Sequence, residues 1–231
     1  LIKCALTAAE RQLVTKHGQP VDIDGKPITL NVIAMGKLGG RELNFSSDID
    51  LICSYANEGD LSGYGHLAYQ EFFTRVVKLL TKLLNDMTED GFVYRVDLRL
   101  RPWGDSGPVA LHHLALEHYY QLHGREWEQY AMVKARMVTG SDSDRTFIQS
   151  IIRPFVYRKY HDYRVFEGLA GLKDQIDRQA RLKNMHNNIK VGNGGIREIE
   201  FFIQAFQILK GGRNNRLQSQ QIFICFDILQ T

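Results

Sequence analysis

Two aspartates two residues apart, Asp48 and Asp50, are the side chains in this sequence best suited to chemistry. They stand in Ser47-Asp48-Ile49-Asp50-Leu51, whose period of two reads as the opening of a β-strand, so both carboxylates aim to one face. Carboxylates that close repel each other, and one pKa rises unless a cation lies between them. Mg²⁺ suits that place, because it takes one or two carboxylates and completes its shell with water and substrate phosphate oxygens. The competing explanation is an exposed pair of acids at a turn or strand edge. A third aspartate, Asp97, falls on the polar side of an alternating stretch with Arg95, Arg99 and Arg101. Three carboxylates among arginines are costly to assemble without a metal and a phosphate to balance them; otherwise Asp97 is an ion-pair partner of Arg95 or Arg99. Ahead of the pair come Gly36-Lys37 and Gly39-Gly40. Backbone without side chains can approach a phosphate closely and present N–H groups to it.

These residues need particular elements to bring them together. Residues 1–18 read as a helix, and Gly18, Pro20, Gly25 and Pro27 mark turns after it. Residues 30–35 and 48–53 read as strands, joined by a loop or helical turn. Over residues 67–87, Phe73, Val76, Val77, Leu80, Leu83, Leu84 and Met87 recur at helical spacing as a core stripe. Residues 92–101 alternate as one strand, with Tyr94, Val96, Leu98 and Leu100 on its apolar side, until Pro102 stops it. Residues 105–108 and 141–144 read as turns. From about residue 114 the pattern is helical. The last helix follows Gly192-Asn193-Gly194-Gly195, carries Ile196, Ile199, Ile203, Phe206 and Leu209 as its stripe, and closes at Gly211-Gly212. The expected fold class is α+β: a small mixed sheet of antiparallel character packed by helices, then a mainly helical region. The expected division is a catalytic domain over 1–140 and a helical region over 141–231 that is cut short.

Composition narrows the function classes. The chain has 231 residues and a formal net charge of +3. That charge suits an anionic ligand and falls short of a polybasic nucleic-acid binder. No stretch of about 18 apolar residues is present, so no membrane span is expected. Cys4, Cys53 and Cys225 are odd in number, far apart and form no CxxC, which points to reduced thiols in a cytoplasmic protein. The eight histidines show no zinc-ligand spacing. Leu1 leads straight into a helix, and IFICFDILQT stops without a polar tail, so a piece of a longer protein is expected.

A strand, a glycine loop, an Asp-x-Asp strand and a later lone aspartate resemble the DNA polymerase β-like nucleotidyltransferase superfamily. The match is closer than that. MGKLGGRELNFSSDIDL and YRVDLRLRPWGDSGP, followed by GREWEQYAMVKAR and NGGIREIEF, resemble the glutamine synthetase adenylyltransferase/adenylyl-removing enzymes over nearly the whole chain. That family carries two homologous halves. One attaches AMP to a tyrosine of glutamine synthetase; the other removes it by phosphorolysis, giving ADP. NFSSDIDL, RPWGDSGP and REWEQYAMVKAR look like the N-terminal, adenylyl-removing half. The alternatives are the forward reaction from ATP and a non-catalytic module that only docks the synthetase.

The resemblance implies Mg²⁺ on Asp48, Asp50 and Asp97, with an adenine nucleotide and phosphate beside them. Gly36, Lys37, Ser47, Arg99 and Arg101 are then the candidate phosphate contacts. Arg99 and Arg101 are chosen because they share the side of Asp97; surface ion pairing is equally open to them. Lys37 has solvation, and Ser47 the capping of a turn, as alternatives. Glu198 and Glu200 are weaker candidates for a nucleotide-side wall, since acids at a helix N-terminus offset its dipole. Trp103 and Trp127 are expected to pack rather than to stack on adenine. Implied partners are glutamine synthetase and a PII-type signal protein, with glutamine as an effector.

Overall fold

The computed structural model describes residues 1–45, 47–61, 66–89, 91–159, 163–182, 188–190 and 194–230. Gly192 and Asn193 of the glycine run, and Ser46, two residues before the first aspartate, lie outside them. The chain forms two compact units, Leu1–His123 with Ala135–Ile151, and Gly124–Lys134 with Ile152–Thr231.

In the first unit the order is α1 (Ile2–His17), β1 (Asn31–Ala34), α2 (Gly36–Gly39), β2 (Ile49–Tyr55), β3 (Asp60–Leu61), β4 (Leu67–Ala68), α3 (Tyr69–Asn85), β5 (Val96–Asp97), β6 (Ala110–His112) and α4 (His113–Leu122). Then β7 (Arg136–Met137) and the start of α6 (Asp142–Val156) complete it, while α5 (Glu126–Met132) belongs to the second unit. The sheet runs β5-β2-β1-β7, with β6 also on β2. β1 is antiparallel to β2 and β7; β5 and β6 are parallel to β2. The expected α+β class with a mixed sheet is what forms.

One side of the sheet is closed by helices. Val32, Ala34, Ile49, Leu51 and Cys53 pack against Leu6 and Ala9 of α1 and against Phe73, Val76, Val77 and Leu80 of α3. Each Val, Leu, Ile or Phe among them contributes about 1.5–3 kcal/mol when fully buried. Two members of the expected α3 stripe do not join it: Leu83 is 46% and Met87 73% exposed. Leu80 and Leu84 take the inward positions, and Met87 lies past the helix end at Asn85.

The expected strand over 92–101 shrinks to Val96–Asp97. The chain turns at once, because the Arg99 N–H donates to Asp97 Oδ1 at 2.8 Å instead of to a neighbouring strand. The alternation of sides is lost from that point. Residues 141–144, read as a turn, are the start of α6: the Asp144 N–H donates to Ser141 Oγ at 3.1 Å and the Ser141 N–H to Asp144 Oδ2 at 3.2 Å. Within the stretch read as helical, β7 is a two-residue strand.

The second unit contains α5, the end of α6, α7 (Tyr163–Leu182), α8 (Ile196–Gly211) and α9 (Ile222–Gln230). The expected α8 stripe holds only in part: Ile203 is buried and Phe206 and Leu209 are half-buried, but Ile196 and Ile199 are each 51% exposed, and Phe201, Gln204, Gln207 and Ile208 take the other inward positions. Gln207 is inside because its amide donates to the carbonyls of Leu217 (2.7 Å) and Ser219 (2.8 Å). After Gly211 the chain continues into a 3₁₀ turn and α9, so α8 is not the last helix. Among the described residues no helix is long and apolar enough to cross a membrane, and the three cysteines are free thiols.

Candidate active site

Asp50 and Asp97 are register partners on adjacent parallel strands. Opposite residues of paired strands share a side of the sheet, so the two carboxylates stand together, away from the helix-covered core that holds Ile49 and Leu51. Asp48 precedes β2 and forms an ion pair with Arg95 Nε. Charge is divided unevenly among the three. Burial raises the Asp50 pKa, and the charges of Asp97 and then Asp48 push it further, against a smaller opposing pull from Arg99. Asp97 goes the other way: the hydrogen-bonded Arg99 guanidinium holds it below the usual carboxylate range, with contacts of 2.9 Å from Nε and 2.5 Å from Nη2 to Oδ2.

The glycine turn leans directly on this pair. Met35 follows β1, and its N–H donates to the Asp50 carbonyl at 2.9 Å. Gly36 then adopts φ +51°, and a Cβ added there would lie 2.9 Å from Asp50 Oδ2. Only a residue without a side chain lets the backbone come so close while holding a left-handed φ. Lys37 follows, half-buried, as the second residue of α2.

The other expected residues separate. Ser47 donates through Oγ to Asn44 Oδ1, and its N–H to the Asn44 carbonyl at 3.2 Å, which is a turn-stabilising arrangement. Arg99 lies over Asp97 with its own side chain 73% exposed. Arg101 does not share the polar side of Asp97. It is 8% exposed, and its guanidinium donates to the carbonyls of Leu98 (2.8 Å) and Gly107 (3.2 Å), which bind the GDSGP turn. Glu198 and Glu200 belong to the second unit. Glu198 accepts the Gly194 N–H at 2.6 Å and pairs with Lys173 at 2.9 Å, and Lys173 above all lowers its pKa. Glu200 pairs with the buried Lys134 at 3.1 Å. Trp103 and Trp127, expected to pack, are 45% and 37% exposed, and Trp103 rests on Tyr119 with centroids 4.6 Å apart.

Sequence reasoning assigned no role to Arg136. Its guanidinium donates to the carbonyls of Leu38 (2.7 Å) and Gly39 (2.9 Å) and so fixes the end of α2. The only signal in the sequence was its place in GREWEQYAMVKAR, because a two-residue strand shows no periodicity.

For a divalent cation, the donor set is hard oxygen from carboxylates. Among the described residues no three His, Cys, Asp or Glu side chains stand in metal-binding array. The Asp50–Asp97 pair, in which burial and then the charge of Asp97 raise the Asp50 pKa, nonetheless fits Mg²⁺, which needs one or two carboxylates when phosphate oxygens complete its shell.

A family model described as glutamate-ammonia ligase adenylyltransferase matches residues 1–149, and one described as GlnD PII-uridylyltransferase matches residues 170–224. A bifunctional glutamine synthetase adenylyltransferase/adenylyl-removing enzyme of Thioalkalivibrio sulfidiphilus is 50% identical over 211 residues, covering 91% of this chain and 22% of its own length. The proteins of the same name from Methylococcus capsulatus and Acinetobacter baylyi are 50% identical over 93% of the chain and 46% identical over 96% of it. This chain spans 23% and 24% of those two relatives.

Proposed function

The chain belongs to the glutamate-ammonia ligase adenylyltransferase family, and from that membership we propose that it removes AMP from the adenylyl-tyrosine of glutamine synthetase by phosphorolysis. The observation that carries the reading is the Asp50–Asp97 pair beside Gly36. The resemblance of NFSSDIDL, RPWGDSGP and REWEQYAMVKAR to the adenylyl-removing half selects the direction.

In this reaction an oxygen of inorganic phosphate attacks the AMP phosphorus. The bond from phosphorus to the tyrosine oxygen breaks, that oxygen leaves with the electron pair and takes up a proton, and the products are ADP and unmodified tyrosine. The nucleophile is already an anion near neutral pH, so the main demand on the protein is to bring anions together. Asp50 and Asp97, with Asp48 beside them, are the residues that would hold Mg²⁺. When bound, Mg²⁺ neutralises phosphate charge and stabilises the departing oxygen. Gly36 lets the backbone approach the site, and Lys37 and Ser47 lie on the two segments that flank it. Arg99, fixed on Asp97, offers its remaining N–H groups to the incoming phosphate. Glutamine synthetase is then the protein substrate, and a PII-type protein and glutamine are proposed regulators.

The test supplies the protein with adenylylated synthetase plus phosphate, or with unmodified synthetase plus ATP, each with Mg²⁺ and with EDTA. The expected result is Mg²⁺-dependent ADP release in the first arm, reduced at least about a hundredfold by Asp50→Ala. AMP incorporation in the second arm alone would reverse the direction. Turnover untouched by EDTA and by Asp50→Ala would remove the carboxylates from the chemistry.

A further inference from the structure

A second polar region lies beside the edge strand β7, on the helix-covered side of the same sheet. Ala34 is the register partner of both Leu51 and Arg136, so Arg136 shares the side of Leu51. Asp50, one residue earlier on β2, faces the opposite way. Around Arg136 is an open cleft of about 570 Å³ lined also by Lys3, Arg41, Arg145, Leu38 and Tyr94, with no carboxylate among the described residues that line it. Four cationic side chains thus line one open space of the size that holds small organic ligands. The geometry points to a binding site for a phosphate-bearing organic anion, formed by Lys3, Arg41, Arg136 and Arg145 and separate from the aspartate site.

The local contacts support it. Arg145 Nη1 donates to the Met137 carbonyl at 3.0 Å, and Asp142, which pairs with its Nε, is 4.0 Å away and fully exposed. Arg136 is oriented by carbonyls, which do not neutralise its charge. Its pKa is lowered, first by burial and then by Arg41 and Arg145. A bound anion would reverse that repulsion. Arg41 holds φ +60°, a conformation seldom adopted by side chains other than Asn, Asp and Gly. Guanidinium groups fork onto phosphate oxygens in pairs, and Leu38 and Tyr94 supply an apolar wall for the organic part. Arg136 also anchors α2, so occupancy would bear on the glycine turn beside Asp50.

Calorimetry in EDTA, with inorganic pyrophosphate and with ADP, tests the site while the aspartates lack a cation to recruit phosphate. The expected result is saturable binding of both, with ADP the tighter. Arg41→Asn, which suits the left-handed backbone while removing the charge, and Arg145→Gln should each weaken binding about tenfold or more. Asp50→Asn should leave it within about twofold. Arg41 is exposed, so its variant tests the site even if the Arg145 change unfolds the protein. No saturable binding at millimolar ligand, wild-type binding by both arginine variants, or loss of binding in Asp50→Asn would each overturn the assignment. If ADP binds no tighter than pyrophosphate, the apolar wall takes no part and the organic half of the assignment fails.

Discussion

Replacing Gly36 by alanine should separate the stability of the glycine turn from its use. Two penalties arise at once. The first is conformational: at φ +51° an alanine pays about 1–2 kcal/mol for crowding between its Cβ and the backbone. The second is a collision, because that Cβ would sit 2.9 Å from Asp50 Oδ2, whereas ordinary contact begins at 3.4 Å. The carboxylate must therefore move by about 0.5 Å, roughly the tolerance of a catalytic constellation. Misplacement by about 1 Å costs on the order of a hundredfold, so kcat for ADP release should fall between about ten- and a hundredfold. The stability loss corresponds to a Tm lower by about 2–8 °C.

Gly36→Asn is the control that divides the two penalties. Asparagine tolerates the left-handed region but keeps the Cβ, so it should recover part of the lost Tm and none of the lost kcat. Melting curves and steady-state ADP release on the three proteins suffice. A Gly36→Ala protein with kcat within about twofold of wild type and a lowered Tm would show that the close approach to Asp50 has no role in turnover. Unchanged kcat and Tm together would refute the left-handed turn itself.

Asp50→Asn should raise Tm at neutral pH in EDTA while destroying turnover. The folded Asp50 carboxyl has a raised pKa, from burial and then from Asp97 and Asp48. Its charged form therefore opposes folding above the unfolded aspartate value of about 3.9, and the penalty fades as pH falls through the folded value. The gain should accordingly shrink in acid, and a lower Tm at neutral pH would sink the argument. Arg101→Met should cost about 2–3 kcal/mol in denaturant unfolding, since it removes a buried charged donor from the Leu98 and Gly107 carbonyls, with little change in the KM for phosphate. A raised KM at unchanged stability would make Arg101 a phosphate contact after all.

The parts of the fold that could be read in the sequence carry either an unbroken apolar run or a period. Residues 30–35 and 49–55 are buried almost throughout, as short runs of strand character, and most of α3 repeats every 3.6 residues because one face of a cylinder must be covered continuously. Where pairing is only two residues long, as in β5 and β7, no period exists to be read. Polar residues that serve the interior fall outside any apolar stripe. Gln204 and Gln207 look like a solvent face, yet Gln207 is inside to satisfy two loop carbonyls.

Arg101 and Asp97 show why a site can be legible when the element carrying it is not. Both were placed on one side by alternation through residues 92–101. The placement of Asp97 against Asp50 survives because it depends on a single parallel register, Ile49 on Val96 and Asp50 on Asp97. Arg101 lies four residues further on, beyond the turn that Asp97 itself makes by accepting the Arg99 N–H. One carboxylate thus ends the strand and fixes the arginine at its own edge, while the next arginine is drawn inward to brace the turn. Asp97 carries structural work in any case, so its removal cannot by itself separate a metal ligand from a strand terminator. Asp50, whose charge is disfavoured first by burial and then by its neighbours, is the residue on which the proposed chemistry and stability pull in opposite directions.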